Sequence, residues 1–154
     1  MKKVIFLIAL LSCTLIFAQS KADPWAGTWK LDTVKSKLND PAPKEETVKV
    51  EESDLNTIKY TTSGTDAEGK QFTENFDGKA DGKPYPLIVN GQEIGKIKYR
   101  KVSDRVYTSD GIMTDGSTVK GTVTLSKDGK SISITEHVKS SKGEYNNLVY
   151  FNKQ

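Results

Sequence analysis

From residue 27 to the C-terminus, apolar and polar residues alternate with a period of two, in short runs rich in Thr, Val, Ile, Tyr and Phe. Val48 and Val50 alternate with Lys49 and Glu51, and Ile97 and Tyr99 alternate with Lys96, Lys98 and Arg100. Val119, Gly121, Val123 and Leu125 alternate with Lys120, Thr122 and Thr124. Successive side chains leave a strand on opposite sides, so this period buries one face and wets the other. Turn formers separate the runs. They are Asp54-Leu55-Asn56, Ala67-Glu68-Gly69, Asp77-Gly78, Asp81-Gly82, Asn90-Gly91, Ser103-Asp104, Asp115-Gly116, Asp128-Gly129 and Lys142-Gly143. Asn-Gly and Asp-Gly reach positive φ at little cost, which tight hairpins require.

The pattern predicts strands at 27–33, 45–52, 57–64, 70–77, 86–90, 94–102, 105–113, 117–126, 131–139 and 144–152. No helical period competes with them after residue 26. Consecutive strands joined by short turns predict an all-β fold, a single antiparallel up-and-down β-barrel of eight to ten strands. Closure removes the exposed edges that an open sheet would present. A β-sandwich is the alternative. Residues 34–44, with Pro41 and Pro43, form the one long early connection.

Parity assigns an interior. Trp29 and Leu31 share one face of the first strand, opposite Thr28, Lys30 and Asp32. On the matching faces stand Tyr60, Phe72, Phe76, Tyr99, Val123, Ile134 and Tyr150. These are core fillers by default and pocket lining if the barrel is hollow. The last strand is ambiguous, because Leu148 and Tyr150 face one way while Val149 and Phe151 face the other. Glu74 lies between Phe72 and Phe76, and Glu136 between Ile134 and Val138, so both carboxylates share the apolar parity. Burying an ionised carboxylate is costly without a partner. A bulge could turn the two to solvent, or an inward Lys101 could pair with them. Otherwise they are the polar anchors of a mostly apolar pocket.

The N-terminus changes the picture of where the domain works. Met1-Lys2-Lys3 leads into the apolar runs Val4–Leu11 and Leu15–Ala18. A charged start, an apolar middle and a small last residue make a secretory signal at 1–18, with Gln19 as the first mature residue and 19–154 as the barrel domain. The apolar stretch falls short of the roughly 20 residues of a membrane span, so no stable membrane insertion is expected. Leu10-Leu11-Ser12-Cys13 loosely matches a lipobox, which makes an anchor through Cys13 the alternative to a free periplasmic or secreted protein. Loss of Lys2 and Lys3 takes the formal net charge from +3 to +1. That balance disfavours a nucleic-acid partner. Cys13 is the sole cysteine, so packing alone must hold residues 19–154 together.

Gly27-Thr28-Trp29-Lys30-Leu31 resembles the first-strand Gly-x-Trp motif of the lipocalins and fatty-acid-binding proteins, together the calycins. The resemblance implies that Trp29 caps the closed end of a barrel, with Asp23-Pro24-Trp25 as the turn leading into it. A wider likeness, through Trp29–Asp32, Lys35–Leu38, Pro41–Lys44, Gly82–Pro86 and Ser126–Lys130, is to small exported bacterial proteins described as lipocalin-like. The chain departs from the fatty-acid-binding pattern twice. The 34–44 connection is too short and too proline-bearing for their helical lid. Leu148 stands where they place the arginine that holds a carboxylate.

Candidate chemistry is sparse. His137, the lone histidine, stands on an outward stripe, and one histidine does not make a zinc site. No nucleophile elbow, phosphate loop or zinc-protease helix is present. Lys96, Lys98, Arg100 and Lys101 form a local basic cluster, read as a solvated outer face. The expected function is therefore an exported, monomeric, non-enzymatic protein without cofactor, holding a small apolar or amphiphilic molecule in its barrel. The alternatives are an envelope interaction module with a filled barrel and, behind it, an enzyme on a calycin barrel.

Overall fold

The computed structural model describes residues 23–39, 41–54 and 56–154. The expected signal segment 1–18, its cleavage point before Gln19 and Cys13 lie outside the described residues. Ten strands follow one another: β1 (Gly27–Leu31), β2 (Glu45–Ser53), β3 (Ile58–Thr65), β4 (Gln71–Gly78) and β5 (Tyr85–Val89), then β6 (Gln92–Ser103), β7 (Val106–Met113), β8 (Thr118–Leu125), β9 (Ser131–Ser140) and β10 (Gly143–Lys153). Each pairs antiparallel with its neighbour in sequence, and β1 pairs with β10 to close the barrel. The up-and-down barrel is thus the fold, and no sandwich forms.

The turn chemistry explains most of the connections. Asn90 and Gly91 take φ of 51° and 80°, a two-residue turn with both centres left-handed, between β5 and β6. Asp77-Gly78 is a correction. β4 runs through Gly78, whose φ is not positive. A Cβ there would stand 2.6 Å from Tyr85 Cγ and 2.8 Å from Phe76 Cζ, so this glycine admits two rings instead of turning the chain.

β1 is only five residues long and pairs with β10 at Trp29, Lys30 and Leu31. Beyond Leu31 the chain continues beside β10 without forming a strand. Lys37 and Leu148 exchange backbone hydrogen bonds of 2.7 and 2.8 Å, and the Ser36 hydroxyl accepts from the Tyr150 N–H at 2.9 Å. These contacts occupy the edge that a longer β1 would have covered.

The core gathers at one end of the barrel. Trp29 is fully buried, with Trp25, Ile58, Tyr107, Leu125, Ile132 and Phe151 around it. The Trp29 indole N–H donates to the Trp25 carbonyl at 2.9 Å, and the Trp25 indole N–H donates to the Asp104 carbonyl at 3.0 Å. The Trp25 and Tyr107 rings meet edge to face with centroids 5.2 Å apart. Asp23 ties the turn down by accepting from the Trp25 and Ser53 N–H groups at 2.9 and 2.7 Å. Large apolar area is buried there while every indole donor keeps a partner. Trp29 and Trp25 thus lie buried together at one end of the barrel.

Candidate ligand-binding site

Above the two tryptophans the barrel holds a cavity of about 570 Å³. Its floor is Trp25, Trp29, Ile58, Tyr107 and Ile132. Its wall includes Val48, Val50, Ile97, Val123, Ile134 and Val149, with Tyr60 and Tyr99 on one side and the small residues Ser109, Gly111 and Ser117 on β7 and beyond. At the opposite end from the tryptophans, Leu38, Ile94, Met113 and Tyr145 complete the lining, and all four are only half-buried. Ile94 reaches the interior at a bulge in the β5–β6 pairing, where Leu87 faces Gly95 and Ile88 faces Glu93.

The aromatic side of the cavity is a packed unit. Phe76, 1% exposed, stacks on Tyr60 at 5.4 Å and 15°, and meets Tyr99 edge to face at 5.0 Å. The Tyr60 and Tyr99 hydroxyls share a hydrogen bond of 3.2 Å. Burial pushes the Tyr99 phenol up to about 12 and holds Tyr60 well above its ordinary value, so both stay neutral at ordinary pH.

Three carboxylates face this interior, from Glu46 on β2, Glu74 on β4 and Glu136 on β9. Burial pushes the Glu74 carboxyl up to about 7, helped by the charges of Glu46 and Glu136. Burial pushes Glu46 up to about 7 as well, with Glu136 adding to it. Burial also raises Glu136, against a hydrogen bond of 3.3 Å that the Asn147 amide donates to it. Among the described residues no Lys, Arg or His lines the cavity. Lys101 does not supply the missing charge, because its ammonium pairs with Asp104 at 3.0 Å. Among the described residues no group of three His, Cys, Asp or Glu side chains could hold a metal ion.

Of the residues expected at the interior, Trp29, Tyr60, Glu74, Tyr99, Val123, Ile134 and Glu136 line the cavity. Phe76 points inward but is sealed behind Tyr60 and Tyr99. Phe72 and Tyr150 are corrections. Phe72 sits opposite Gly64, and its ring leans over that glycine, 3.0 Å from where a Cβ would stand. It therefore packs on the wall near the rim and leaves the cavity to its neighbours. Tyr150 pairs with Ser133 on the outer face, because the β9–β10 register sets Val149 against Ile134 and Phe151 against Ile132 inside. Glu46 and Trp25 were not foreseen. Glu46 has the parity of Val48 and Val50, so the signal was present at the first turn of the strand. Trp25 precedes β1, where no alternation can report it.

His137 stands on the outer surface, 3.4 Å from the Glu144 carboxylate and 2.9 Å from the Asn146 side chain. On the same outer wall Arg100 lies 3.6 Å from Asp110 and Lys96 lies 4.0 Å from Glu93.

No protein-family model matches the chain, and a search of curated proteins found no relative. Solved structures do resemble it. A redesigned β-barrel superposes with a TM-score of 0.52 at 12% identity, over 85% of this chain and 92% of that one. A second redesigned barrel, mFAP1, bound to DFHBI, gives 0.51 at 12% identity over 84% and 95%. At such identities the likeness is one of fold: a closed antiparallel barrel, in a form that other sequences use around a small molecule.

Proposed function

We propose that the protein is an exported carrier that encloses one small apolar or amphiphilic molecule within its barrel. The observation that carries this reading is the cavity itself. Its volume of about 570 Å³ falls within the roughly 300–1,000 Å³ of small-molecule sites, and like them it sets a few polar groups in a mainly apolar wall. Protein interiors are ordinarily packed to crystal-like density, so a void of this size forfeits dispersion contacts that a merely structural barrel would keep. The unfilled interior favours a carrier over an interaction module with a packed core. The binding role needs no reaction and no cofactor. The dye held by the similar barrel mFAP1 supports the reading by showing what this fold can accommodate.

Export rests on the N-terminal pattern alone, and a monomer released ahead of Gln19 is the form proposed. Native mass spectrometry of the exported protein, purified without detergent, tests both parts. The reading predicts a non-covalent adduct that is lost on denaturation, and an intact mass beginning at Gln19. A bare chain that also takes up no apolar dye would refute the carrier. A diacylglycerol-modified Cys13 would replace the free protein with an anchored one.

A further inference from the structure

We propose that the cavity selects organic cations, taking an amine whose ammonium group lies among Glu46, Glu74 and Glu136 and whose apolar body lies against Tyr60 and Tyr99. The proposal rests on the carrier reading of the same cavity and names its ligand class.

The charge distribution is one-sided. Three carboxylates from three separate strands face one cavity, and among the described residues no cationic side chain lines it with them. The Lys101 ammonium, the nearest by parity, is engaged with Asp104 at the closed end. Glu74, half-buried on the cavity wall, receives no hydrogen bond or ion pair from another described residue, and neither does Glu46. Glu136 receives one bond, from Asn147. A carboxylate offers about four acceptor positions, and most of those on these three side chains are open to the cavity without a protein donor. An ammonium brings donors and an opposite charge at once. An anionic ligand would add repulsion, and a neutral one would leave the acceptors unpaired.

The three carboxylates influence one another electrostatically, yet among the described residues no three His, Cys, Asp or Glu side chains form a group that could hold a metal ion. The charge to be placed there is more extended, and the aromatic and aliphatic wall calls for an apolar body attached to it. Among the described residues, tyrosines complete the titratable groups facing the space: Tyr60 on β3, Tyr99 on β6, Tyr107 on β7 and Tyr145 on β10. Burial raises Tyr60, Tyr99 and Tyr107 and keeps them protonated, while Glu46 and Glu74 change charge near 7. Protonating them removes the attraction, and binding of a permanently protonated amine weakens as pH falls.

Three naphthalene probes of one shape test this: 1-naphthylmethylamine, 1-naphthalenemethanol and 1-naphthylacetate, titrated against the exported protein by fluorescence at about pH 8 and about pH 5. The expected result is an amine that binds at least about tenfold tighter than the alcohol at the higher pH, an acid that binds weakest, and an amine advantage that collapses at the lower pH. Glu74→Gln and Glu136→Gln, each checked for a native melt, should each erase much of that advantage, read as the ratio of amine to alcohol affinity within the same variant. Equal binding of amine and alcohol at about pH 8 would overturn the cation proposal and leave the carrier standing. Failure of all three probes to bind would overturn both.

Discussion

The two ends of this barrel are built on opposite principles. At the closed end Trp25, Trp29 and Tyr107 fill the space, and both indoles and the Tyr107 hydroxyl donate to backbone carbonyls, those of Asp104, Trp25 and Ser53. Lys153 adds a cation 4.8 Å above the Trp29 ring. Toward the other end Glu46, Glu74 and Glu136 surround a void with one hydrogen bond among them. Satisfied polar groups in dense packing mark a region selected for stability. Acidic groups that line a cavity without protein donors or counter-charges mark one left open to what it holds.

The largest effect should come from the closed end. Trp29→Ala is expected to cost about 3–5 kcal/mol, the range for truncating a fully buried aromatic, read from urea melts. A loss below about 1 kcal/mol would mean that the plug does not carry the stability assigned to it.

The carboxylates should behave in the opposite sense. Glu46 and Glu74 hold their protons up to about 7 in the folded protein, against an ordinary value of 4.5. Below about pH 4.5 both folded and unfolded forms are protonated, and the groups do not affect stability. Between about 4.5 and 7 the folded form binds more protons, so stability falls as pH rises and stays reduced above 7. The double variant Glu46→Gln, Glu74→Gln should therefore be more stable than the parent by roughly 2–3 kcal/mol at about pH 8, and no more stable at about pH 4. Melts across that range check it. An equal effect at both ends of the range would show that the carboxylates are already compensated.

Tyr60→Phe removes the hydroxyl pair with Tyr99 while keeping the ring on Phe76, and should cost about 1 kcal/mol. Tyr150→Thr, on the outer face, should cost about 1 kcal/mol or less and leave probe binding unchanged. An effect as large as that of Trp29→Ala would place Tyr150 in the core after all.

The same contrast explains what could be read from the chain. Strand number, order and closure were legible because alternation and the Asn-Gly and Asp-Gly turns report backbone geometry directly, and the ten strands fall within a few residues of their expected positions. The carboxylate pair Glu74 and Glu136 was legible because each interrupts an apolar parity. Glu46 was missed although it shares that parity, because a glutamate at the start of a strand is ordinarily solvent-exposed. In β10, Leu148 to Phe151 are all apolar, so parity carries no information and only pairing with β9 decides that Val149 and Phe151 face inward. Trp25 was beyond reach for another reason. Its place is set by the turn through Asp23 and by a hydrogen bond 79 residues away, to Asp104.

The account turns on carboxyls that line the cavity without a counter-charge among the described residues, and side-chain carboxyl NMR reads that state directly. A carbon-detected titration of the ligand-free protein should show Glu46 and Glu74 changing charge near 7. Lys59-paired Glu51 and Lys139-paired Glu144 should titrate below the ordinary 4.5. If Glu46 and Glu74 titrate with the surface glutamates, water or a partner already compensates them, and the division between an end rich in protein donors and one without them loses its meaning.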